Sequence, residues 1–132
     1  MTHDINLEQA FNIGLKGIEQ ALKMSLPVSI SVMDPHGSQI FFCKMDNALP
    51  VSAIMAPKKA KTCVYLRMPS CEAGKVIEAS LKGLDISMQG EIAAFGGGLP
   101  IFKNNRLIGA IGVSGGSVEE DVIIAKAAIK DI

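Results

Sequence analysis

The glycine-rich stretch from Gly96 to Asp121 constrains the fold more than any other part of the sequence. Two apolar, partly β-branched runs, Leu99 to Phe102 and Leu107 to Val113, have the length of strands, and Asn104-Asn105 separates them. Asparagine tolerates the positive φ angles that a tight hairpin turn demands. The stretch therefore predicts two antiparallel strands that pair with each other.

A glycine corner and a helix start follow this hairpin. The segment Ser114 to Gly116 contains two glycines, and we expect one of them to hold a positive φ angle. Ser117 and Glu120 have the spacing of a capping box, and the three acidic residues of that turn favour a cap over a phosphate site. The triple glycine that starts at Gly96 lacks Cβ atoms, so another backbone or a flat ligand can approach the sheet there.

The first half of the chain predicts an amphipathic helix and a second hairpin. Asn6 and Gln9 mark the helix start, and Gly14 and Gly17 indicate close packing along one face. The residues with helical periodicity that we expect to be buried are Leu7, Phe11, Leu15, Ile18 and Leu22. A strand with one buried face follows, with Val28, Ile30 and Val32 inward and Ser29 and Ser31 outward. A turn over 34–37 then leads to a return strand from Gln39 to Met45.

The second half predicts three more helices and one more strand. We expect a helix from about Pro57, because proline suits a first turn, and a second helix from Glu72 to Leu81. Glu91 to Phe95 reads as a short apolar strand that leads into the triple glycine. The last helix is predicted to bury Val118, Val122, Ala125 and Ile129.

Hairpins, rather than alternating strand–helix–strand units, indicate an antiparallel sheet with helices on its faces, and hence an α+β fold. The length of 132 residues suits a single domain over 1–132. With 13 basic and 13 acidic residues, the chain has no net charge that would favour nucleic acid or a membrane surface. It contains no transmembrane run or signal peptide, so we predict a cytoplasmic protein. The 48% hydrophobic composition and the thinned first helix predict a homo-oligomer above the dimer level.

The cysteines and histidines give no pattern of a catalytic or metal site. Cys43, Cys63 and Cys71 lack a Cys-x-x-Cys spacing, and we expect reduced, mostly buried thiols. His36 lies in a turn and His3 near the terminus, without metal-ligand spacing to other side chains, so we expect both at the surface. We therefore predict no catalytic residues and leave any metal unknown.

Lysines near the glycine hairpin suggest a binding wall instead. If the strand that ends at Met45 lies beside the helix from Pro57, Lys44 and Lys59 can share a wall with the glycines. Lysines would bind the acid groups of a flat apolar ligand, and the glycine backbone would lie against its face.

Four motifs together resemble those of a known family. They are Lys44-Met45-Asp46-Asn47-Ala48, Lys59-Ala60-Lys61-Thr62, the run from Gly96 to Ile101, and the run from Gly109 to Asp121. In this order they resemble the GlcG/HbpS-like family, whose members include haem-binding proteins and a domain of cobalamin adenosyltransferases.

The resemblance implies a profilin-like, five-stranded antiparallel sheet between helices in α/β/α layers, assembled into homo-oligomers. It also implies a set of ligand-binding positions: Lys44, Asp46, Lys59, Thr62, Gly97, Gly98, Pro100 and Ser114. We predict a non-catalytic domain that binds haem or another tetrapyrrole, accessory to cobalamin-dependent diol or glycerol metabolism. The alternative is a structural protein whose homo-oligomer docks on a partner enzyme.

Overall fold

Five helices and four strands make up the computed structural model, which describes residues 3–132. In chain order they are α1 (Leu7–Lys23), β1 (Ser29–Met33), β2 (Gln39–Lys44), α2 (Pro50–Leu66), α3 (Ser70–Ser80), α4 (Leu84–Ser87), β3 (Gly98–Lys103), β4 (Arg106–Ser114) and α5 (Val118–Ile129).

The strands form one antiparallel sheet in the order β2-β1-β4-β3. Both predicted hairpins are confirmed, and Asn104 and Asn105 hold φ angles of 52° and 63° in the β3–β4 turn. Helices α1 and α5 cover one face, while α2 covers the other and α3 packs against α2. The predicted α+β class, an antiparallel sheet flanked by helices, is therefore confirmed.

The expectation of five strands is wrong, because Glu91 to Phe95 does not form a strand. The backbone there bonds to a side chain of α2 instead of to a neighbouring strand. Ala93 donates its N–H to Thr62 Oγ1 at 2.8 Å, and its carbonyl lies 3.1 Å from the same hydroxyl. The apolar pattern of the segment reflects burial of Ile92 and Ala93 rather than strand pairing.

Strand β1 is buried on both faces, not on one as predicted. Ser29 and Ser31 point towards α2 and are fully buried, and the Ser29 hydroxyl bonds to that of Ser52 on α2 at 2.8 Å. Val28, Ile30 and Val32 belong to the apolar cluster under α1 and α5, which forms the main core. The two serines are hydrogen-bonded inside the fold instead of facing water, because Ser31 likewise donates its hydroxyl to Gln39 Oε1 at 2.6 Å.

Helix α1 begins with the predicted capping box of Asn6 and Gln9, but its buried face differs from the predicted one. Small residues turn inward and bring the helix close to the sheet: a Cβ at Gly14 would lie 2.2 Å from the Phe41 ring. The buried residues are Ala10, Ile13, Gly14, Gly17 and Ala21. The predicted core positions Leu7, Phe11, Leu15 and Leu22 are exposed.

Two other helices also depart from expectation. Helix α2 begins at Pro50, and Pro57 lies in its interior, because Pro50 takes the first helical position for which its fixed φ is suited. Helix α5 has the predicted capping box of Ser117 and Glu120, but it buries Asp121 while Val118 is exposed. None of the helices in the described range is long and apolar enough to cross a membrane.

Candidate functional site

A cavity of about 560 Å³ opens at one end of the sheet, between the last turns of α1 and the end of β2. We call it the β2 cavity. Ile18 and Leu22 of α1 line one side, and Leu26 and Pro27 of the following loop line its floor. The volume lies within the roughly 300–1,000 Å³ of small-molecule sites.

Local backbone geometry shapes this cavity. Ser25 holds a φ of 52° after the end of α1, and Leu26 donates its N–H to the Ala21 carbonyl at 3.0 Å. The chain thus folds back beneath the helix before it enters β1. On the other side, the N–H of Met45 bonds to the Val28 carbonyl at 2.9 Å, which fixes the segment after β2.

Lys44 and Asp46, two of the predicted ligand-binding residues, line the β2 cavity and are exposed. The cavity wall beside them is largely aliphatic. A few charged groups around an apolar cavity orient a ligand, and a lysine can bind a carboxylate. The arrangement therefore suits a largely apolar molecule that carries acid groups.

Two sulfur-bearing side chains, Cys43 and Met45, line the same cavity. Both pack against the apolar cluster under α1, and burial raises the pKa of the Cys43 thiol. Sequence analysis identified neither as a site residue. The only signal was their alternate spacing in a strand, which places them on one face.

The predicted residues Lys59, Thr62, Gly97 and Gly98 lie elsewhere, where α2 packs on the starts of β3 and α5. With Asp121, we call this group the Lys59 junction. Lys59 is 1% exposed, and its ammonium donates to the Val113 carbonyl at 2.9 Å and to Asp121 Oδ2 at 3.1 Å. Burial lowers the pKa of Lys59, and the Asp121 carboxylate opposes that shift.

The glycines of the junction make room for α2. A Cβ at Gly97 would lie 2.6 Å from Lys59 Nζ, and one at Gly98 would lie 2.5 Å from the Lys59 carbonyl. The triple glycine thus admits another backbone and a lysine side chain. Thr62 bonds to Ala93 as described above, and the N–H of Gly98 donates to Ser70 Oγ at 2.9 Å.

The remaining two predicted residues lie apart from both groups. Ser114 is buried at the end of β4. It pairs with Ser29 of β1, and Ser29 pairs across its other edge with Lys44 of β2. Pro100 lies on the edge strand β3, opposite Ala110. Because β2 and β3 are three strand spacings apart, about 14 Å, the predicted residues do not form one continuous wall. Ligand contact stays a prediction for the other six positions, which are Lys59, Thr62, Gly97, Gly98, Pro100 and Ser114.

Asp121 is the residue of the Lys59 junction that sequence analysis missed. Its acidic neighbours complement the start of α5, and we assigned Asp121 to the same role. Its carboxylate instead lies inside the fold, where it accepts the N–H of Gly116 at 2.8 Å and pairs with Lys59. The buried face of α5, which the sequence pattern did not reveal, determines this position.

The corner between β4 and α5 matches the prediction. Gly115 holds a φ of 147°, the Ser117 N–H donates to Glu120 Oε1 at 2.9 Å, and the Gly116 N–H is bound by Asp121. The backbone N–H groups of Gly116 and Ser117 therefore already donate to carboxylates of the chain itself, those of Asp121 and Glu120. Among residues 3–132, no three His, Cys, Asp or Glu side chains are grouped to hold a metal ion, and His3 and His36 are exposed.

The cysteines are free but only partly match the expectation of buried thiols. Cys63 is buried, Cys43 is half-buried and Cys71 is exposed. Burial raises the pKa of Cys63 to about 12.

Comparison with known proteins gives consistent matches. The family model described as "Haem degrading protein HbpS-like" matches residues 5–130. The corrinoid adenosyltransferase PduO of Salmonella typhimurium strain LT2 is 41% identical over 117 residues, which are 87% of this chain and 35% of that protein. An uncharacterized 15.0 kDa protein from the dhaT-dhaS intergenic region of Citrobacter freundii is 40% identical and covers 83% of this chain and 79% of its own length.

Among solved structures, the crystal structure of a PduOC:heme complex superposes with a TM-score of 0.93 at 37% identity, covering 98% of this chain and 95% of that one. The chain therefore resembles, over almost its whole length, a protein that was crystallised with haem. It spans only 35–39% of the length of the corrinoid adenosyltransferases that it matches.

Proposed function

Because the chain belongs to the HbpS-like family, we propose that it is a non-catalytic domain that binds haem or a related tetrapyrrole in the β2 cavity. The observation that carries this proposal is the cavity itself: an aliphatic space of about 560 Å³ with Lys44 and Asp46 among its lining residues. The likeness to the haem-bound PduOC supports the choice of ligand.

The residues of the cavity fit a haem on chemical grounds. Ile18, Leu22 and Leu26 offer aliphatic contact for the face of a porphyrin ring, whose burial would be the main driving force. Lys44 is exposed and can reach a propionate. Cys43 and Met45 provide sulfur atoms, which are among the protein ligands that haem iron accepts. When bound, haem would supply its iron as a centre for ligation or redox chemistry.

Haemin titration, followed by the Soret band, tests this function. We expect saturable binding with a shifted band. Lys44→Ala should weaken binding by a factor of about 1.4 to 5, because an exposed lysine–carboxylate pair contributes about 0.2–1 kcal/mol. Leu22→Glu places a carboxylate in the cavity wall and should weaken binding more. The matched control is Lys103→Ala, at the far end of β3, which should bind like the wild type.

We also propose that the domain is accessory to cobalamin-dependent diol or glycerol metabolism. The support is its similarity to proteins named corrinoid adenosyltransferase and to the dhaT-dhaS intergenic protein. Because the chain covers about a third of those adenosyltransferases, the transferase activity itself is not part of the proposal.

A second candidate function, a homo-oligomer that docks on a partner enzyme, is favoured by one surface. The outward face of α1 presents three large apolar side chains, Leu7, Phe11 and Leu15, and Leu22 at the edge of the β2 cavity continues this face. Exposed apolar surface of this kind marks interaction sites. We expect light scattering at micromolar concentration to give a mass above that of a dimer, and Phe11→Glu to lower it. A monomer mass for the wild-type protein would contradict this candidate.

A further inference from the structure

We propose that the outer edge of β2 pairs with β2 of a second copy of this chain, so that two four-stranded sheets join into one. The proposal assigns an interface to the homo-oligomer named above as the second candidate function, and it rests on that candidate. Strand β2 is the first in the sheet order, and within residues 3–132 no strand pairs with its outer side. The backbone N–H and C=O groups of such an open edge can bind another strand.

The two edge strands of the sheet differ in how they are protected against such pairing. Strand β3 contains Pro100, which lacks an N–H, and ends in the charged Lys103. Both features discourage pairing with another chain. Strand β2 reads Gln-Ile-Phe-Phe-Cys-Lys, with no proline and a single charge at its end. None of its six residues is fully buried although four are apolar, so β2 is the unprotected edge.

Helix α1 adds an apolar surface beside this open edge. On the side that faces α5, Lys16 of α1 forms an ion pair with Asp131. On the other side, the Phe11 ring packs edge-on against Phe41 of β2, with the ring centroids 5.8 Å apart. The exposed apolar residues one turn before and one turn after Phe11 are Leu7 and Leu15. The apolar face of α1 therefore lies on the side of the helix where the sheet is open.

A second copy of the chain covers both features at once. A two-fold axis normal to the sheet makes the two β2 strands antiparallel and puts both α1 helices on the same face of the joined sheet, with their apolar sides towards each other. A strand from an unrelated protein would satisfy the backbone of β2 but would leave the apolar face of α1 exposed. The self-complementary arrangement therefore favours a second copy as the occupant.

The side chains of β2 are compatible with an axis beside Phe42. The irregular pairing in β2 precedes Phe41, so the residues from Phe41 onwards alternate regularly between the two faces. With this axis, Phe42 stands opposite its own copy and Phe41 stands opposite Cys43, so apolar side chains meet across the new ladder. The two Lys44 residues are then about 13 Å apart along the strand direction, which keeps their like charges separate.

The first test compares the mass of Phe42→Lys with that of the wild type by light scattering at micromolar concentration. The substitution places two lysines opposite each other at the axis, where like charges oppose pairing. We expect the mass to fall at least twofold, while the melting curve remains that of a folded protein because Phe42 is 40% exposed. The matched control is Phe102→Lys on β3, where the side chain is 45% exposed, and it should keep the wild-type mass.

A cross-link provides a second test that does not disrupt the interface. In a Cys71→Ser background, which removes the exposed native thiol, Phe42→Cys puts two thiols opposite each other. Opposite Cα atoms of antiparallel strands are about 4.5–5.5 Å apart, within the range of a disulfide. We expect mild oxidation to link two chains, whereas Phe102→Cys in the same background should stay unlinked.

The outcomes separate this interface from the candidate function on which it rests. An unchanged mass in a folded Phe42→Lys protein, or no link in Phe42→Cys, would overturn the β2 interface while the homo-oligomer stands. A monomer mass for the wild type would overturn the second candidate function and this interface with it.

Discussion

The Lys59 junction and the β2 cavity both contain a lysine and an aspartate at the same end of the sheet, yet they differ in exposure. Lys59 and Asp121 are 1% and 2% exposed, and the lysine ammonium lies over the Phe95 ring at 5.0 Å besides its two hydrogen bonds. Lys44 and Asp46 are exposed and line an open cavity. The junction satisfies its own charges, whereas the cavity leaves its charges available to a ligand.

This contrast shows that a shared family motif need not have a single role. Both lysines belong to motifs that resemble the family pattern, and sequence alone gave no means to separate them. Burying an ion pair is costly unless each charge finds partners, so the junction is expected to define how α2, β4 and α5 meet. An exposed lysine has little to contribute to folding and can serve in binding.

Lys59→Ala gives the largest expected effect, because it leaves Asp121 buried without its cation. We expect the free energy of unfolding to fall by about 3–5 kcal/mol in urea denaturation. The matched variant Lys44→Ala removes an exposed lysine and should change stability by less than about 0.5 kcal/mol.

A double variant separates charge from packing. Lys59→Met with Asp121→Asn removes both charges, keeps most of the volume and leaves an oxygen to accept the Gly116 N–H, so it should recover much of the stability. Equal stability losses in Lys59→Ala and Lys44→Ala would remove the distinction between the two regions.

Local patterns were the predictable part of this fold. Both hairpins and the capping boxes at Asn6 and Ser117 follow from residues within a few positions of each other, so the sequence alone indicates them. The missing fifth strand illustrates the limit: Ile92 and Ala93 are buried without strand pairing, and the bond from the Ala93 backbone to Thr62 spans 31 residues. Only the assembled fold shows such partners.

Helix faces and the site were less predictable for a related reason. In α1, Gly14 and Ala10 are buried while Phe11 is exposed, because close approach to the sheet favours small side chains. Side-chain hydrophobicity alone would rank Phe11 as the most buried of these three residues and Gly14 as the least. For the site, motifs identified Lys44, but Asp121 is 62 residues from Lys59 and its role depends on which face of α5 is buried.

The cysteine thiols of the two regions should also differ in how strongly they make stability depend on pH. Burial raises the pKa of Cys63, in contact with the junction, to about 12, while an unfolded cysteine ionises near 8.5. Between pH 8.5 and 12, unfolding therefore releases the proton of this thiol. The contribution of Cys63 to the free energy of unfolding is complete below pH 8.5 and is lost as the pH rises towards 12. The slope from this one group is about 1.4 kcal/mol per pH unit.

Cys63→Ala should flatten the alkaline loss of stability, as measured by urea denaturation from pH 8 to 11. Cys43→Ala, at the half-buried cavity wall, should flatten it less, although burial raises the pKa of that thiol too. A larger change in slope for Cys43→Ala than for Cys63→Ala would reverse the order of burial that distinguishes the two regions.

The smallest expected effect concerns the cap of α5, where the junction meets the loop behind the cavity. Ser117→Ala removes one acceptor, for the Glu120 N–H, and should lower stability by about 0.5–2 kcal/mol in thermal melts. Haemin affinity should not change, because Asp121 still holds the Gly116 amide.

Gly115→Ala differs: its Cβ would lie 2.7 Å from the carbonyl of Pro27, a cavity residue, so stability and affinity should both fall. An unchanged melting temperature with abolished binding in Gly115→Ala would instead mean that the corner itself contacts the ligand.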